Sequence, residues 1–143
     1  MPTRNGSAEW QGGLKEGTGS VKVGDGALEA PFSFKSRFEE GSGTNPEELI
    51  GAAQAGCYSM ALSAMLEADG HTPDSVRTTA KVTLRFVDEA PTITKIEMDT
   101  EGRVPGIDQA AFEEAAAKAK EACLVSRALA AVDDITVNAK LVS

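Results

Sequence analysis

The longest run of small and apolar residues in the chain covers residues 46–68 and predicts one long helix. Asn45 is a favourable N-cap residue, and it is followed by a proline at the first helical position. Glu47 and Glu48 complement the positive end of the helix dipole, and Glu48 stands where a capping-box acid reaches back to the N-cap. Gly70 follows the run and is a typical stop signal.

This predicted helix is apolar on nearly every side, so it needs partners all around its axis. The residues that surround the axis are Leu49, Ile50, Ala52, Ala53, Ala55, Gly56, Cys57, Met60, Ala61, Leu62, Ala64 and Met65. A chain of 143 residues with one other substantial helix can hardly enclose it with its own sheet. The pattern therefore favours a homodimer in which two copies of the helix share a core. The alternative is a monomer with the helix laid across one sheet and covered by loops.

Alternation of polar and apolar residues predicts strands on both sides of this helix. A strand pair is expected within residues 8–23 and a third strand over 31–38. In the third strand, one face would carry Phe32, Phe34, Ser36 and Phe38, and the other Lys35 and Arg37.

Beyond the helix, the pattern predicts two strands that pair with each other, a second helix, a short helix and a closing strand. They cover residues 75–88, 92–104, 109–122, 126–132 and 135–141. The order of elements indicates the α+β class, with mostly antiparallel sheets around central apolar helices. The length of 143 residues indicates a single domain over residues 1–143.

The charge balance narrows the possible partners. A net charge of -8 argues against nucleic acid or an anionic membrane surface. Charged residues are expected to interrupt every apolar run before it reaches the ~18 residues that span a bilayer, so no membrane is expected. Residues 1–5 lack the apolar core of a signal peptide, and the expected location is cytoplasmic.

The candidate chemistry rests on two cysteines, Cys57 and Cys123. Two cysteines are too few for a secreted disulfide scaffold, and a zinc site would lack two ligands. The only histidine, His71, lies in a predicted turn without a ligand-spaced neighbour. No phosphate-binding loop, Ser/His/Asp arrangement or dinucleotide fingerprint is present. Two interpretations remain, namely thiol redox chemistry and two inert buried thiols.

A reactive Cys57 would need a cation, because an apolar helix desolvates the thiol and raises its pKa. Arg37 is the best-placed candidate, and Glu47 is the carboxylate that could orient it. Lowering the thiol pKa from ~8.5 to ~6 would raise the fraction of Cys57 present as thiolate only about tenfold near neutral pH. Most of the rate would have to come from stabilising charge on the departing peroxide oxygen. The alternatives are a solvated strand residue for Arg37 and helix-dipole stabilisation for Glu47.

Five stretches of the sequence resemble the osmotically inducible protein C (OsmC) family. They are residues 37–39 (RFE), 44–53 (TNPEELIGAA), 57–62 (CYSMAL), 104–108 (VPGID) and 118–126 (KAKEACLVS). The resemblance covers nearly the whole chain, including the surroundings of Trp10, and is closer to the OsmC branch than to the organic hydroperoxide resistance (Ohr) branch. Both cysteines fall inside the resembling motifs.

The resemblance implies an intertwined homodimer and a thiol peroxidase for organic hydroperoxides, acting in stress defence without metal, haem or other cofactor. In the family, the cysteine that matches Cys57 attacks the peroxide, and the one that matches Cys123 resolves the sulfenic acid to a disulfide. An arginine and a glutamate matching Arg37 and Glu47 assist them. The implied reductant is a dithiol, such as a lipoylated protein.

The chain departs from the family pattern at two positions. Leu124 stands where a proline commonly follows the second cysteine, which is expected to loosen the Cys123 loop and alter disulfide formation. Gln54 stands where related sequences often carry histidine, a difference with no consequence assigned from sequence.

The spacing of Glu47 and Cys57 raises a question of assembly. Ten positions correspond to ~15 Å along an unbroken helix. Either the helix breaks near Gly51 or Gly56, or the partner subunit supplies part of the site.

Two other functions stay open. One is a non-catalytic, stress-induced binding module for an apolar ligand. The other is disulfide exchange on proteins, which is disfavoured because no Cys-x-x-Cys motif is present.

Overall fold

The computed structural model describes residues 1–143, which divide into two compact units, Met1–Leu49 and Ile50–Ser143. The first unit contains β1 (Gly6–Gln11), β2 (Thr18–Val23), β3 (Leu28–Phe32) and α1 (Phe34–Phe38). Helix α2 (Pro46–Ala68) begins in the first unit and continues into the second. The second unit then holds β4 (Ser75–Val87), β5 (Ala90–Arg103), α3 (Gln109–Ala122), α4 (Leu124–Ala128) and β6 (Asp134–Val142). The predicted α+β class is confirmed.

The first unit is built on an antiparallel sheet in the order β1-β2-β3. The rings of Trp10 and Phe32 lie 5.2 Å apart on the outer strands. Gly19 on the central strand lies under both rings, and a Cβ at this position would contact each of them. The glycine therefore allows the two aromatic side chains to close over the sheet.

The prediction of a strand over residues 31–38 is wrong, because the chain turns into α1 directly after Phe32. Ser33 and Ser36 form a reciprocal capping box, in which each side chain is bonded to the other's backbone N–H. The rings of Phe34 and Phe38 then pack one helical turn apart, with centroids 5.0 Å apart. A local cap and an i,i+4 aromatic pair thus prevail over the alternating pattern.

Helix α2 runs from Pro46 to Ala68 without interruption, as predicted. The side chain of Asn45 accepts a hydrogen bond from the backbone N–H of Glu48 at 2.8 Å, which confirms the predicted N-cap. The Glu48 carboxylate accepts a bond from the Thr44 hydroxyl at 2.9 Å, rather than from the N-cap backbone as predicted.

The second unit contains a sheet in the order β4-β5-β6. Strands β4 and β5 form the predicted antiparallel pair. Strand β6, however, runs parallel to β5, because α3 and α4 return the chain to the end of the sheet where β5 begins. The expectation of mostly antiparallel pairing therefore holds for three of the four strand pairs, and the β5–β6 pair is the exception. The short helix predicted over residues 126–132 lies instead at Leu124–Ala128.

The core of the second unit is formed by side chains from α2, α3 and the sheet. Its largest fully buried apolar members are Tyr58, Leu62, Ile96, Met98 and Phe112. The Tyr58 hydroxyl donates to the backbone carbonyl of Ala116 at 2.9 Å, so its polar end is satisfied inside the core. The core thus joins α2 to α3 directly.

One face of α2 is buried within the chain, whereas the opposite face is open. The buried face carries Gly51, Gln54, Tyr58, Leu62 and Leu66, spaced by three or four residues. The open face carries Ala52, Ala53, Gly56, Met60 and Ala64, and Met60 is 76% exposed. A helix that is apolar on both faces therefore has a partner on only one of them.

By length and composition, α2 could also cross a membrane. Its most apolar window of 18 residues has a mean hydropathy of 1.3, and 28% of that window is buried. The prediction that charged residues interrupt every apolar run is therefore wrong for this helix, since residues 49–66 carry no charge.

Candidate functional site

The second unit brings Cys57 and Cys123 together. Cys57 lies midway along α2, and Cys123 lies at the junction where α3 ends and α4 begins. Both thiols are free, and each lies close enough to the other to influence its pKa. Cys57 is half-buried, whereas Cys123 is only 1% exposed. The two cysteines are therefore adjacent in the reduced state, although 66 positions separate them in sequence.

The surroundings of Cys57 disfavour its thiolate. Burial raises the pKa of Cys57 above its ordinary value, and the neighbouring Cys123 thiol raises it further. The backbone N–H groups of Val125 and Leu124 act in the opposite direction but do not reverse the shift. A nearby positive charge would lower this pKa and so favour Cys57 as a nucleophile.

The surroundings of Cys123 favour its thiolate despite its deeper burial. Burial raises the pKa of Cys123, but hydrogen bonds from the backbone N–H and hydroxyl of Ser126 outweigh it, together with bonds from Cys57 and Val125. The net direction is a lowered pKa. The local environment therefore favours the thiolate of Cys123 over that of Cys57.

A buried polar side chain, Gln54, lies beside this thiol. Its Nε2 is 2.7 Å from Ser126 Oγ, 3.6 Å from Cys123 Sγ and 3.5 Å from Met98 Sδ. Its Oε1 is buried without a hydrogen-bond partner. Reasoning from sequence assigned Gln54 no role. The signal that could have found it is a lone amide three residues before Cys57 in the uncharged stretch 49–66.

The first unit brings Arg37 and Glu47 together. The Arg37 guanidinium donates to one carboxylate oxygen of Glu47, from Nε at 3.1 Å and from Nη2 at 2.8 Å. The guanidinium also lies over the Phe38 ring, 5.2 Å from its centroid, so an aromatic face and a carboxylate both fix its orientation. The second oxygen of Glu47 is buried without a partner.

A cavity of about 220 Å³ opens beside this guanidinium in the first unit. Apart from Arg37 and Ser33, its lining is apolar and consists of Trp10, Leu14, Phe32, Phe34 and Phe38. An apolar cavity with one cation suits a ligand that has a hydrophobic body and one polar end.

The four predicted site residues thus form two pairs, Arg37 with Glu47 and Cys57 with Cys123. Each pair lies within one unit. Their catalytic roles stay predictions. Nowhere in the chain do three His, Cys, Asp or Glu side chains gather closely enough to hold a metal ion.

Comparison with known proteins gives concordant results. The family model described as OsmC-like protein matches residues 39–138. The protein named peroxiredoxin OsmC from Escherichia coli (strain K12) is 49% identical over 141 residues, covering 98% of this chain and 97% of that protein.

Two solved structures are similar over nearly their whole length. An organic hydroperoxide resistance protein OsmC from Legionella pneumophila has a TM-score of 0.71 at 25% identity, covering 100% of both chains. An OsmC-like protein from Mycoplasma pneumoniae has a TM-score of 0.77 at 16% identity, covering 99% of both chains, and supports the fold alone. Because the family model matches most of the chain and nearly half of all residues are shared with a full-length relative, the chain belongs to the OsmC family.

Proposed function

We propose that the protein is a thiol-dependent peroxidase that reduces organic hydroperoxides to alcohols in stress defence. The observation that carries the proposal is the adjacency of two reduced cysteines, one half-exposed and one buried. The names of the Escherichia coli and Legionella pneumophila relatives support the same reaction class and substrate.

The reaction runs in two steps at sulfur. The Cys57 thiolate attacks the terminal oxygen of the hydroperoxide, the O–O bond breaks, and the alkoxide takes a proton and leaves as the alcohol. Cys57 is then a sulfenic acid. The Cys123 sulfur attacks it, the S–O bond breaks, and a disulfide and water form. A dithiol, such as a lipoylated protein, reduces the disulfide by thiol–disulfide exchange and closes the cycle.

In this proposal, Arg37 supplies the missing positive charge. A guanidinium beside Cys57 would stabilise its thiolate and the negative charge that develops on the departing oxygen. Glu47 holds the guanidinium through two N–H bonds to one oxygen. The aromatic cavity beside Arg37 suits the hydrophobic part of an organic hydroperoxide.

We infer that the working site forms in a homodimer. The open face of α2 is apolar and built largely of Ala and Gly, which lets another helix approach closely. Because α2 does not break at Gly51 or Gly56, the ten residues from Glu47 to Cys57 separate the two along the helix. Arg37 and Glu47 of one chain are therefore assigned to the cysteines of the partner.

The decisive experiment is mass spectrometry of the reduced protein after one equivalent of cumene hydroperoxide. We expect the loss of two hydrogens, with Cys57 linked to Cys123. Cys57→Ser should abolish turnover, and Cys123→Ser should permit at most one slow turnover. An unchanged mass, or full activity of Cys57→Ser, would refute the peroxidase. An unchanged mass together with unreduced cumene hydroperoxide bound in the cavity beside Arg37 would favour the apolar-ligand binding module.

The shared site has its own test. Heterodimers that combine an Arg37→Ala chain with a Cys57→Ser chain should regain activity at one site per dimer, although each homodimer is inactive. Heterodimers as inactive as the parents would place all four residues of a site in one chain.

A further inference from the structure

The second unit contains a buried polar cluster that the proposed reaction has not yet used. Gln54 is fully buried on α2, and Ser126 lies in α4 with 9% exposure. Their side chains are hydrogen-bonded at 2.7 Å, and both lie against the Cys123 sulfur. Because buried polar groups are unfavourable unless they are bonded, the presence of this pair beneath a thiol requires an explanation.

The hydrogens of the Gln54 amide and the Ser126 hydroxyl can be assigned to their acceptors. The Gln54 amide has two hydrogens. One is used by Ser126 Oγ, and the other faces the sulfurs of Cys123 at 3.6 Å and Met98 at 3.5 Å. Since Ser126 Oγ accepts from Gln54, its own proton is free to be donated to the Cys123 sulfur. Two donors therefore converge on one sulfur.

The Gln54 amide has two possible orientations, and they differ in the groups that they direct at Cys123. Gln54 Oε1 is buried and accepts no hydrogen bond. With the amide reversed, Oε1 would accept the Ser126 proton and withdraw both donors from Cys123. The reversed amide would suit a neutral thiol, whose S–H can donate to a carbonyl. The orientation in the structure, with Nε2 towards Cys123, is compatible with a thiolate, which only accepts.

We propose that Gln54 and Ser126 are positioning residues for disulfide formation, which hold the Cys123 sulfur as a thiolate directed at Cys57. The inference rests on the proposed peroxidase function. In the step itself, the Cys123 thiolate attacks the sulfur of the Cys57 sulfenic acid and hydroxide leaves. The hydroxide takes the proton that Cys123 gave up, so water forms and the hydroperoxide remains the only oxidant consumed.

The other titratable groups that face Cys123 are on α2. They are the Cys57 thiol and the Tyr58 phenol. The Tyr58 proton is donated to the Ala116 carbonyl at 2.9 Å, so Tyr58 does not replace the donors from Gln54 and Ser126.

The first test measures ionisation without any peroxide. In a Cys57→Ser protein, Cys123 is the only thiol, and its thiolate is followed by ultraviolet absorbance against pH. Gln54→Met keeps the size of the side chain but removes both donors, and Ser126→Ala removes the hydroxyl. We expect each change to move the midpoint of the Cys123 titration to higher pH. The fraction of Cys123 present as thiolate at neutral pH should fall by about tenfold. The control is Gln11→Met, at an exposed glutamine of β1.

The second test follows the two-cysteine protein after one equivalent of cumene hydroperoxide. Dimedone traps the Cys57 sulfenic acid, and intact mass reports the disulfide. We expect Gln54→Met to form the sulfenic acid at the rate of the unaltered protein and the disulfide about tenfold more slowly.

Unchanged midpoints in Gln54→Met and Ser126→Ala would overturn the proposal. If Gln54→Met does not fold, Ser126→Ala decides alone, because it removes a single oxygen. If hydroperoxide oxidises neither cysteine, the proposed function fails, while the thiolate titration still shows whether the pair stabilises Cys123.

Discussion

Replacing Glu47 by glutamine tests whether the carboxylate fixes Arg37. The carboxylate accepts two N–H bonds from Arg37 through one oxygen, and its other oxygen is buried without a partner. In Glu47→Gln, the amide oxygen can still accept from Arg37, but the negative charge is lost. The amide NH₂ must then occupy the buried position that offers no partner.

The magnitudes follow from these two changes. Charge-assisted hydrogen bonds are about twice as strong as neutral ones. The Arg37 side chain is 38% exposed, so solvent screens the interaction. We therefore expect Glu47→Gln to weaken the interaction that orients the guanidinium by about 1–2 kcal/mol. This corresponds to roughly a fivefold to thirtyfold fall in peroxidase activity. The unpartnered NH₂ adds about 1–3 kcal/mol of destabilisation.

The assay pairs cumene hydroperoxide turnover with urea unfolding. Glu48→Gln is the matched control, because Glu48 is exposed, lies on the same helical turn, and its carboxylate accepts only from the Thr44 hydroxyl. We expect Glu48→Gln to keep its activity and to lose less than about 0.5 kcal/mol of stability. Equal activity and equal stability in Glu47→Gln and Glu48→Gln would refute the role of Glu47 as the residue that orients Arg37.

Three further predictions concern the core and the open face of α2. Burial raises the pKa of Tyr58 above its ordinary value. The contribution of the buried neutral phenol to folding stability is therefore fully present below pH ~10 and is lost as the pH rises further. Because Tyr58 is the only tyrosine, its phenolate absorbance should appear only above the ordinary range, and Tyr58→Phe should flatten the alkaline loss of stability in urea unfolding. Gly102→Ala would press a methyl group against the Phe112 ring and should cost about 1–3 kcal/mol in thermal unfolding, whereas Gly13→Ala meets no atom and should cost far less. Met60→Glu should shift sedimentation towards the monomer, and an unshifted profile would remove the open face of α2 from the proposed interface.

The long helix could be predicted from sequence, because its main signals agree. Its N-cap, first-turn acids and apolar run all indicate one helix over Pro46–Ala68, and that helix is present. Its all-round apolarity could also be read from sequence, and the open face carrying Met60 is its structural counterpart.

The segment that carries Arg37 could not be predicted in the same way, because two local signals compete there. Phe32, Phe34 and Phe38 alternate as in a strand, while Ser33 and Ser36 cap a helix. The cap needs only residues three apart, and the packing of Phe34 on Phe38 then favours the helix. Arg37 consequently lies over Phe38 rather than on the opposite face from the phenylalanines.

Two other features depend on tertiary contacts that no local pattern encodes. The direction of β6 is set by the path of α3 and α4 back to the start of β5. The role inferred for Gln54 depends on Ser126, which lies 72 positions away in sequence. A lone amide in an apolar helix indicates a buried polar contact, but it does not identify the partner.

Trp10 gives the first unit a built-in optical reporter. It is the only tryptophan in the chain, its ring packs against Phe32, and it lines the aromatic cavity beside Arg37. A molecule that enters the cavity must change the surroundings of that indole. Its intrinsic fluorescence should therefore follow occupancy in real time, without a label and without consuming the thiols.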